Sequence, residues 1–294
     1  MSDDFRLGAV IITMGNRPAE LNALIESVRA QQGPPVELAV VANGAPLPAL
    51  PEGVRSVELP ENLGIPGGRN VGIELFGPDG RDVDAVLFLD DDGLLPNTDS
   101  AELLRQAFTA DPGLGIVSFR IADPETGTTQ RRHVPRLRAS DPMRGSRVTT
   151  FLGGASAVRS AVFPQAGQLP AEFFYAHEET DLAWRALDAG WSIDYRPDVV
   201  LFHPATSPAR HATYFHNVAR NRVWLARRNL PALLVPLYLG TWFLLTLARR
   251  PSGSALKAWL GGFRAGWSEP CGPRRPMKWS TVWRLTRLGR PPII

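Results

Sequence analysis

Residues 1–204 alternate short apolar runs with stretches of helical periodicity. Continuous apolar runs predict buried strands at Leu7–Thr13, at residues 36–42 and at residues 85–89. Between the first two, apolar residues recur every three or four positions from Pro18, which suits a helix first turn, to about Gln32. This alternation predicts an α/β fold in which a mostly parallel, Rossmann-like sheet is covered by helices on both faces.

The alternation continues toward residue 204. A loop at residues 62–70 leads into a helix that ends near Leu75. Residues 122–147 are polar, rich in arginine and without clear period, which indicates a mobile loop or a hairpin. The other predicted elements are helices at residues 100–110, 178–189 and 214–228 and strands at residues 115–120 and 199–203.

Charge divides the chain in two. Residues 1–204 hold 17 Lys and Arg against 28 Asp and Glu, whereas residues 205–294 hold 15 against a single acid, Glu269. The basic part also contains six of the eight tryptophans, a composition that suits an anionic membrane surface. We therefore predict two regions, an α/β domain at residues 1–205 and a helical, membrane-associating extension at residues 206–294.

An uncharged run of 19 residues, 230–248, lies within the basic part. It favours a membrane over nucleic acid as the partner of that part. Its length is borderline for a spanning helix, which needs about 20 apolar residues, and Pro231, Pro236 and Gly240 favour a monotopic or re-entrant element. Cys271 is the only cysteine, so no internal disulfide forms, and the chain does not begin with a secretory signal pattern. We expect a cytoplasmic protein, peripheral or monotopic at the inner face of the cell membrane.

Three adjacent aspartates, Asp90, Asp91 and Asp92, follow the predicted strand at residues 85–89. Ligands of open α/β sheets bind at the carboxyl ends of the strands, and neighbouring carboxylates repel one another unless a cation compensates. A divalent metal that bridges a diphosphate would supply this charge, although a solvated acidic turn is the simpler alternative. His203, which follows the last strand, is either structural or a further ligand for a manganese-like ion.

A second acidic group, Glu178, Glu179 and Asp181, lies at the start of a predicted helix, where the helix dipole favours acids. Helix capping explains Glu178 and Glu179, and a carboxylate that takes a proton from a bound hydroxyl is the alternative. The loop at residues 62–70 adds Gly64, Gly67 and Gly68, with Arg69 inside the following helix. Glycines admit a diphosphate, a helix start offers N–H groups, and arginine adds positive charge.

Seven motifs follow one another in order. They are Thr13 with Arg17-Pro18, Val-Val-Ala-Asn at 40–43, the loop at 62–70, Leu-Asp-Asp-Asp at 89–92, Phe-Leu-Gly-Gly-Ala-Ser at 151–156, Glu-Glu-Thr-Asp at 178–181, and His203. This order resembles the family 2 glycosyltransferases of the GT-A fold over about residues 7–205. The chain is most similar to bacterial rhamnosyltransferases and galactofuranosyltransferases, and its basic, Trp-rich end resembles actinobacterial members.

The resemblance implies roles for individual residues. Thr13, Arg17 and Asn43 match positions that hold the base and ribose, and Asn43 stands where many members have Asp, which leaves base selectivity open. The full set implied to bind the nucleotide-sugar is Thr13, Arg17, Asn43, Asn62, Gly67, Arg69, Asp90 and Asp91. The implied ligands of a divalent metal, Mn²⁺ or Mg²⁺, are Asp90, Asp92 and His203.

Glu179 matches the catalytic base of the family. The family more often has Asp at this position, so Glu178 and Asp181 remain alternatives. Candidates for the acceptor side are Gly153, Gly154, Trp184 and Trp191, because aromatic faces pack against sugar rings, and a core role is the alternative for both tryptophans.

We therefore expect an inverting, metal-dependent glycosyltransferase that uses a UDP- or dTDP-sugar, with rhamnose or galactofuranose favoured. The expected acceptor is a cell-envelope glycan or a polyprenyl-linked precursor at an anionic membrane, without a role for nucleic acid. Two other classes stay open. A nucleotidyltransferase would share the sheet and the metal aspartate, and a membrane-docked nucleotide- or sugar-binding module would bind without turnover.

Overall fold

The computed structural model describes residues 5–137, 141–204 and 212–294. Its strands are β1 (Leu7–Thr13), β2 (Glu37–Asn43), β3 (Arg55–Leu59), β4 (Ala85–Asp90), β5 (Leu114–Ala122), β6 (Ser146–Arg147), β7 (Ala155–Arg159) and β8 (Ser192–Phe202). Its helices are α1 (Pro18–Arg29), α2 (Gly64–Glu74), α3 (Ser100–Ala110), α4 (Val162–Ala166), α5 (Glu178–Asp188), α6 (Ala212–Asn229), α7 (Leu234–Ala248), α8 (Gly253–Ser268) and α9 (Trp279–Arg287). Short 3-10 helices occupy Pro78–Gly80, Arg131–His133 and Ala171–Phe173.

The strands form one sheet in the order β3-β2-β1-β4-β7-β5-β8-β6. The first four are parallel, as are β5 and β8, whereas β7 runs antiparallel to both β4 and β5, and β6 runs antiparallel to β8. The predicted mostly parallel sheet is therefore mixed. The apolar pattern missed β7 because small residues, Ala155, Ser156 and Ala157, let it fit between two packed strands without an apolar run.

Helices cover both faces of the sheet. On one face, Leu21, Leu24 and Ile25 of α1 join α3 over the odd-numbered residues of β1. On the other face, α2 and α5 form a second core with Val10. A Cβ at Gly72 would overlap Val10, so the glycine lets α2 lie close against β1. Close packing here fixes the position of the loop at the start of α2.

The carboxyl-terminal helices pack on the face formed by α2 and α5. Val223 and Trp224 of α6, Tyr238 of α7 and Leu285 of α9 all belong to the core on this face. Gly262 of α8 lies against the backbone of His216 of α6, where a Cβ would overlap. The predicted boundary between the two regions, residues 205 and 206, lies outside the described residues, and α6 begins packing against the α/β part soon after them.

The last 15 residues of the uncharged run 230–248 form α7. Within the described ranges, no helix is both long and apolar enough to cross a membrane. Although α7 is apolar on all sides, only Tyr238 and Leu239 are buried in it. Leu237, Leu244 and Leu247 are exposed.

Candidate active site

A cavity of about 760 Å³ opens at the carboxyl ends of β1, β2 and β4. These strands are parallel neighbours, so their ends meet at one edge of the sheet, the usual position of a ligand in an open α/β fold. The predicted residues that line the cavity are Thr13, Arg17, Asn43, Asn62, Asp90, Asp91, Asp92 and His203. The fold thus brings together residues separated by as much as 190 positions in the sequence.

The aspartate triplet is held by hydrogen bonds from β1 and the residues after it. Asp91 accepts a 2.7 Å hydrogen bond from the Thr13 hydroxyl. Arg17 lies 2.5 Å from Asp92 and 3.5 Å from Asp91. Burial raises the pKa of Asp91, and the bond from Thr13 offsets this only in part. Arg17 therefore already reduces the repulsion among the three carboxylates, before any cation is bound.

Asp92 and His203 are in direct contact, with His203 Nε2 3.1 Å from Asp92 Oδ1. The hydrogen bond to Asp92 raises the pKa of His203. The other ring nitrogen, Nδ1, lies 2.8 Å from the carbonyl oxygen of Pro204, which fixes the orientation of the ring. A carboxylate and an imidazole so placed fit Mn²⁺ or Mg²⁺ as two adjacent ligands.

The predicted set of three metal ligands is not assembled. Among the described residues, no group of three His, Cys, Asp or Glu side chains is arranged to hold a metal ion. Asp90 accepts a 3.0 Å hydrogen bond from Arg69 instead. An arginine bonded to a carboxylate occupies oxygen lone pairs that a metal would otherwise use.

Arg69 connects the cavity to the predicted base. Its Nη2 donates to Asp90, and its Nη1 lies 4.0 Å from Glu179 Oε1. The side chain is only 3% exposed, and Nη1 has no hydrogen-bond partner. Arg69 was predicted to meet the diphosphate, whereas in the structure it lies behind Asp90 and compensates two carboxylates.

Gly153 and Gly154, predicted on the acceptor side, lie against these same carboxylates. A Cβ at Gly153 would overlap Glu179 and Arg69, and a Cβ at Gly154 would overlap Asp90. The Gly154 carbonyl also accepts a hydrogen bond of 3.2 Å from the Asp90 N–H. The two glycines therefore leave the space in which Arg69 meets its two partners.

The two glutamates at the start of α5 differ in their surroundings. Glu178 is 1% exposed, and its Oε2 has no hydrogen-bond partner. Burial raises the pKa of Glu178 well above its usual value, and the adjacent charge of Glu179 adds to this. Burial also raises the pKa of Glu179, but Arg69 opposes the rise. Glu179, which is 24% exposed at its side chain, is thus the carboxyl group better able to act as a base.

The segment before α5 has an unusual backbone. Phe174, Ala176 and His177 have φ angles of 61°, 74° and 72°, in the left-handed region that side-chain-bearing residues rarely adopt. Such conformations cost about 1–3 kcal/mol each and persist where the surroundings impose them. They turn the chain so that Glu178 and Glu179 begin a helix directly behind the cavity.

Asn221 of α6 holds this segment. Its buried side-chain amide donates to the carbonyl oxygens of Phe173, Tyr175 and Ala176 at 2.8, 2.7 and 2.9 Å. On the other side, the Ile65 N–H donates to the Phe174 carbonyl at 2.8 Å. The position of the glutamates therefore depends on α6 and on α2, and sequence patterns gave no signal for Asn221 because an interior asparagine looks like any other polar residue.

Asp181 is fully buried and faces away from the cavity. It pairs with Arg185 at 2.7 Å and Arg228 at 2.9 Å and accepts a 2.6 Å hydrogen bond from Asn229. Burial opposes ionisation, but Arg185, Arg228 and Asn229 together hold the pKa of Asp181 below its usual value. Its alternative role as the base is therefore wrong, because every accessible lone pair is already used.

The start of α2 was expected to offer free N–H groups to a diphosphate, but the first three helical positions have none free. The Gly64 N–H donates to Asn62, the Ile65 N–H donates to Phe174, and Pro66 has no N–H. Gly67 is buried against Leu63 rather than lining the cavity. The predicted diphosphate contact at Gly67 is therefore not supported.

Asn43 and Asn62 line the cavity and also shape its wall. Asn43 donates to Asn62 at 3.1 Å and to the Gly64 carbonyl at 3.0 Å, and its oxygen accepts from the Leu63 N–H at 2.9 Å. Asn43 is 4% exposed. Its amide thus fixes the loop before α2.

Neither tryptophan predicted on the acceptor side reaches the cavity. Trp184 is buried in the core beside Tyr238, with ring centroids 6.0 Å apart. Trp191 precedes β8 and packs on Gly115 at the start of β5, the end of the sheet opposite to His203. The structure supports the core alternative for both residues, since Trp184 belongs to the core and Trp191 is partly buried and packs against it. Trp191 also lies at the end of the β5–β8 pair opposite to the one where ligands bind.

Sequence reasoning missed the wall of the cavity opposite the aspartates. It consists of Phe174, Tyr175, Thr213, Tyr214 and Asn217. The rings of Tyr175 and Tyr214 lie 6.2 Å apart. Burial raises the pKa of Tyr175, and Tyr214, Glu178 and Glu179 add to the rise. Tyr175 is therefore an aromatic residue close to the predicted base, and Tyr214 lies beside it.

The mixed sheet, the cavity at its carboxyl edge and the aspartates beside a glutamate-bearing helix are the features expected of the GT-A fold. Residues 9–165 match the model of the family described as Glycosyl transferase family 2. Because the match spans more than half of the chain, the protein belongs to this family and is a glycosyltransferase. The nucleotidyltransferase and binding-module alternatives are thereby set aside.

Solved structures confirm the fold. The chain is similar to residues 1–349 of TarS from S. aureus, with a TM-score of 0.62 and 15% identity over 89% of this chain and 81% of that one. GalNAc-T7, solved with UDP, GalNAc and Mn²⁺, is similar with a TM-score of 0.62 and 13% identity, and the match covers 90% of this chain and 56% of that one. The mannosyltransferase PcManGT from Pyrobaculum calidifontis, solved with GDP-Man and Mn²⁺, has a TM-score of 0.53 and 16% identity. This match covers 98% of this chain and 74% of that one. No curated protein matches the chain significantly.

Proposed function

We propose that this glycosyltransferase transfers a sugar, of rhamnose or galactofuranose type, from a UDP- or dTDP-sugar to a cell-envelope glycan or a lipid-linked acceptor, with inversion at the anomeric carbon. The observation that carries the proposal is the contact of Arg69 with both Asp90 and Glu179. Through Arg69, the carboxyl group of Glu179 is linked to Asp90, which lines the cavity, and this supports a base beside a donor site.

In the proposed reaction, Glu179 takes the proton of the acceptor hydroxyl as its oxygen attacks the anomeric carbon. A new C–O bond forms on one face of the sugar while the bond to the nucleoside diphosphate breaks on the other. Arg17, beside Asp91 and Asp92, lies where positive charge can face the departing diphosphate. The step requires ionised Glu179, and Arg69 favours this form by opposing the rise in pKa that burial causes.

A divalent metal suits the same cavity. Asp92 and His203, in contact at 3.1 Å, would hold it, and it would supply positive charge to the leaving diphosphate when bound. GalNAc-T7 and PcManGT were solved with Mn²⁺, and TarS, GalNAc-T7 and PcManGT with UDP, UDP and GDP-Man respectively. These neighbours support a nucleotide-sugar donor and metal use in this chain.

Association with an anionic membrane is part of the proposal. Helix α7 exposes Leu237, Leu244 and Leu247 and is followed by Arg249 and Arg250. Leucines flanked by arginines suit the boundary between lipid tails and acidic headgroups. A protein docked in this way would act on acceptors that are themselves anchored in the membrane.

The test is a donor screen by calorimetry and by release of nucleoside diphosphate, with and without manganese. The donors are UDP-galactofuranose, UDP-galactose, UDP-glucose, UDP-N-acetylglucosamine, dTDP-rhamnose and GDP-mannose. We expect one donor to bind with metal dependence in the wild type and in the surface control Asp198→Ala, and to lose binding in Asp92→Ala. Donor binding that is equal in Asp92→Ala, or absent throughout the screen, would overturn the proposal.

A further inference from the structure

The cavity has two chemically different walls. One wall carries the charged side chains of the aspartates, Arg17 and His203. The opposite wall, the tyrosine wall, consists of Phe174, Tyr175, Thr213, Tyr214 and Asn217. Among the described residues of the tyrosine wall, none carries a charge at neutral pH. A diphosphate and a cation suit the first wall, and the second is left for an uncharged part of a ligand.

Two tyrosine rings form the apolar part of this wall. The ring centroids of Tyr175 and Tyr214 lie 6.2 Å apart, and the ring planes are tilted by 60°. Phe215 meets the Tyr214 ring edge to face, with centroids 5.5 Å apart, which fixes its orientation. Both tyrosines are half-buried and line the cavity. They therefore offer apolar surface to one ligand from two directions, while each phenol oxygen can bond a hydroxyl group.

Helix α6 supplies the polar part of the wall. Tyr214, Asn217 and Asn221 follow one another at spacings of three and four residues, so they share one face of α6. Asn221 anchors this face by its bonds to the carbonyl oxygens of the 173–176 segment. Asn217, one turn earlier, lines the cavity and is 9% exposed. Its amide is placed where it can both donate to and accept from the hydroxyl groups of a ligand.

The tyrosine wall adjoins the helix that carries the proposed base. Tyr175 lies four residues before Glu179, and only two residues separate it from the start of α5. The backbone of this short stretch is fixed by Asn221, which donates to the carbonyl oxygen of Tyr175 itself. A ligand held on the tyrosine wall would therefore lie beside the start of α5.

The chemistry of the wall matches a sugar ring, which presents C–H groups on its face and hydroxyl groups around its edge. A phosphate group would meet no positive charge there, and an alkyl chain would leave Thr213 and Asn217 without hydrogen-bond partners. The base of the donor is the other flat ring to be placed. The residues implied to hold it, Thr13 and Asn43, line the cavity from the ends of β1 and β2.

We propose that Tyr175, Tyr214 and Asn217 bind the terminal sugar ring of the acceptor, with the face of the ring on the tyrosines and its hydroxyl groups at Asn217. The inference rests on the proposed function and names its acceptor class, a glycan whose reacting hydroxyl belongs to an uncharged sugar. It also places part of the acceptor specificity in α6, beyond the residues 9–165 that match the family model.

The experiment titrates the full chain with the methyl glycosides of rhamnose, galactofuranose, mannose and glucose, and follows binding by ligand-observed NMR. It needs neither a donor nor turnover. If a donor binds in the screen and no glycoside binds here, this inference fails and the proposed function does not. The variants are Tyr214→Ala, Tyr214→Phe and Asn217→Ala. The control is Trp283→Ala, which removes an exposed aromatic ring of α9. Thermal unfolding of each variant reports whether it is folded.

We expect at least one glycoside to bind the wild type, and to bind Tyr214→Ala about tenfold or more weakly because the ring contact is lost. Tyr214→Phe keeps the ring and should stay within about threefold, and Asn217→Ala should weaken binding by about threefold to tenfold for a lost hydrogen bond. Trp283→Ala should stay within about twofold, since its ring lies outside the cavity. Tyr175→Ala decides the question if Tyr214→Ala does not fold.

UDP with magnesium should not displace the glycoside, because the nucleotide and the acceptor sugar use different walls. Displacement by UDP would place the nucleotide on the tyrosines and overturn the proposal. The same holds for a loss in Trp283→Ala or Tyr214→Phe equal to that in Tyr214→Ala, and for a wild type that binds no glycoside.

Discussion

Asp181 and Arg228, 47 positions apart in the sequence, form a buried ion pair with a separation of 2.9 Å. The pair joins the helix that carries the glutamates to the helix that follows the α/β part. It has the consequence that the base depends on residues well beyond the 9–165 segment that matches the family.

Replacing Asp181 by Asn is expected to lower the free energy of unfolding by about 3–5 kcal/mol, because Arg185 and Arg228 then keep buried charges without a partner. Chemical denaturation measures this. Asp198→Asn, which breaks an exposed pair with Arg196, is the control and should cost only about 0–1 kcal/mol. The pKa of Asp181 is lowered in the folded protein, so its contribution to the free energy of unfolding is complete at neutral pH. This contribution is lost as the pH falls below about 3.9, the pKa of Asp in the unfolded chain, and then through the lower pKa of the folded state.

Glu179→Gln is expected to lower the transfer rate by about 10²–10⁴ while the affinity for the donor changes little. The melting temperature should not fall, because the variant removes a carboxyl group whose burial disfavours its charge. Transfer assays with calorimetry of donor binding measure both. A larger loss in Glu178→Gln than in Glu179→Gln would assign the base to the other glutamate.

The pH dependence of transfer should report Glu179. Because burial raises the pKa of Glu179, the rate should rise with pH through a limb above the usual glutamate range. Removing the cation in Arg69→Met favours the neutral carboxyl group and should move this limb to higher pH. Arg55→Met is the matched control, since Arg55 also stacks on a phenylalanine but pairs with Glu37, and its limb should not move.

Asn221→Ala is expected to reduce the transfer rate without weakening donor binding, and to cost roughly 1.5–4 kcal/mol of stability for three lost hydrogen bonds. Amide hydrogen exchange of residues 170–181 should accelerate. Asn229→Ala, another buried asparagine of α6, bonds to Asp181 and not to the 173–176 segment, and should lower stability without accelerating exchange there. Adding Ala176→Gly to Asn221→Ala should restore part of the rate, because glycine adopts a φ of 74° without strain.

Membrane binding is expected to weaken more than tenfold in Leu237→Gln combined with Leu244→Gln, since each leucine that enters lipid contributes about 1.5–3 kcal/mol. Co-sedimentation with phosphatidylglycerol vesicles measures it. Met143→Gln removes an exposed apolar side chain outside α7 and is the control. A double variant that sediments like the wild type would exclude α7 as the docking element.

Much of the fold followed from the sequence because periodicity reports burial. The predicted strand Leu7–Thr13 is observed with the same bounds, and the predicted helix at residues 100–110 is α3. The sheet order did not follow, since β7 owes its place to small residues rather than to an apolar run. Nothing local distinguishes such a strand from a loop.

In the candidate site, too, some residues could be predicted from the sequence and others could not. The aspartates, His203 and Thr13 were found because their types and positions after strands carry chemical meaning, and the structure places them on one cavity. Asn221 and Tyr214 could not be found, because their roles come from α6 folding back over residues distant in sequence. Trp184 was a candidate for the acceptor side only because an aromatic face can pack against a sugar ring, and the structure supports its core alternative instead.

The three carbonyls bonded by Asn221 bear on how such proteins can be divided. A chain cut before α6 would lose Asn221 and Arg228 together, leaving the turn before Glu178 unsupported and Asp181 short of a partner. Exchanging carboxyl-terminal helices between relatives to change the acceptor would therefore also change the base. In a chimera, the face of α6 that carries Asn221 and Arg228 has to come from the same parent as α5. Only the residues after α6 can then be exchanged.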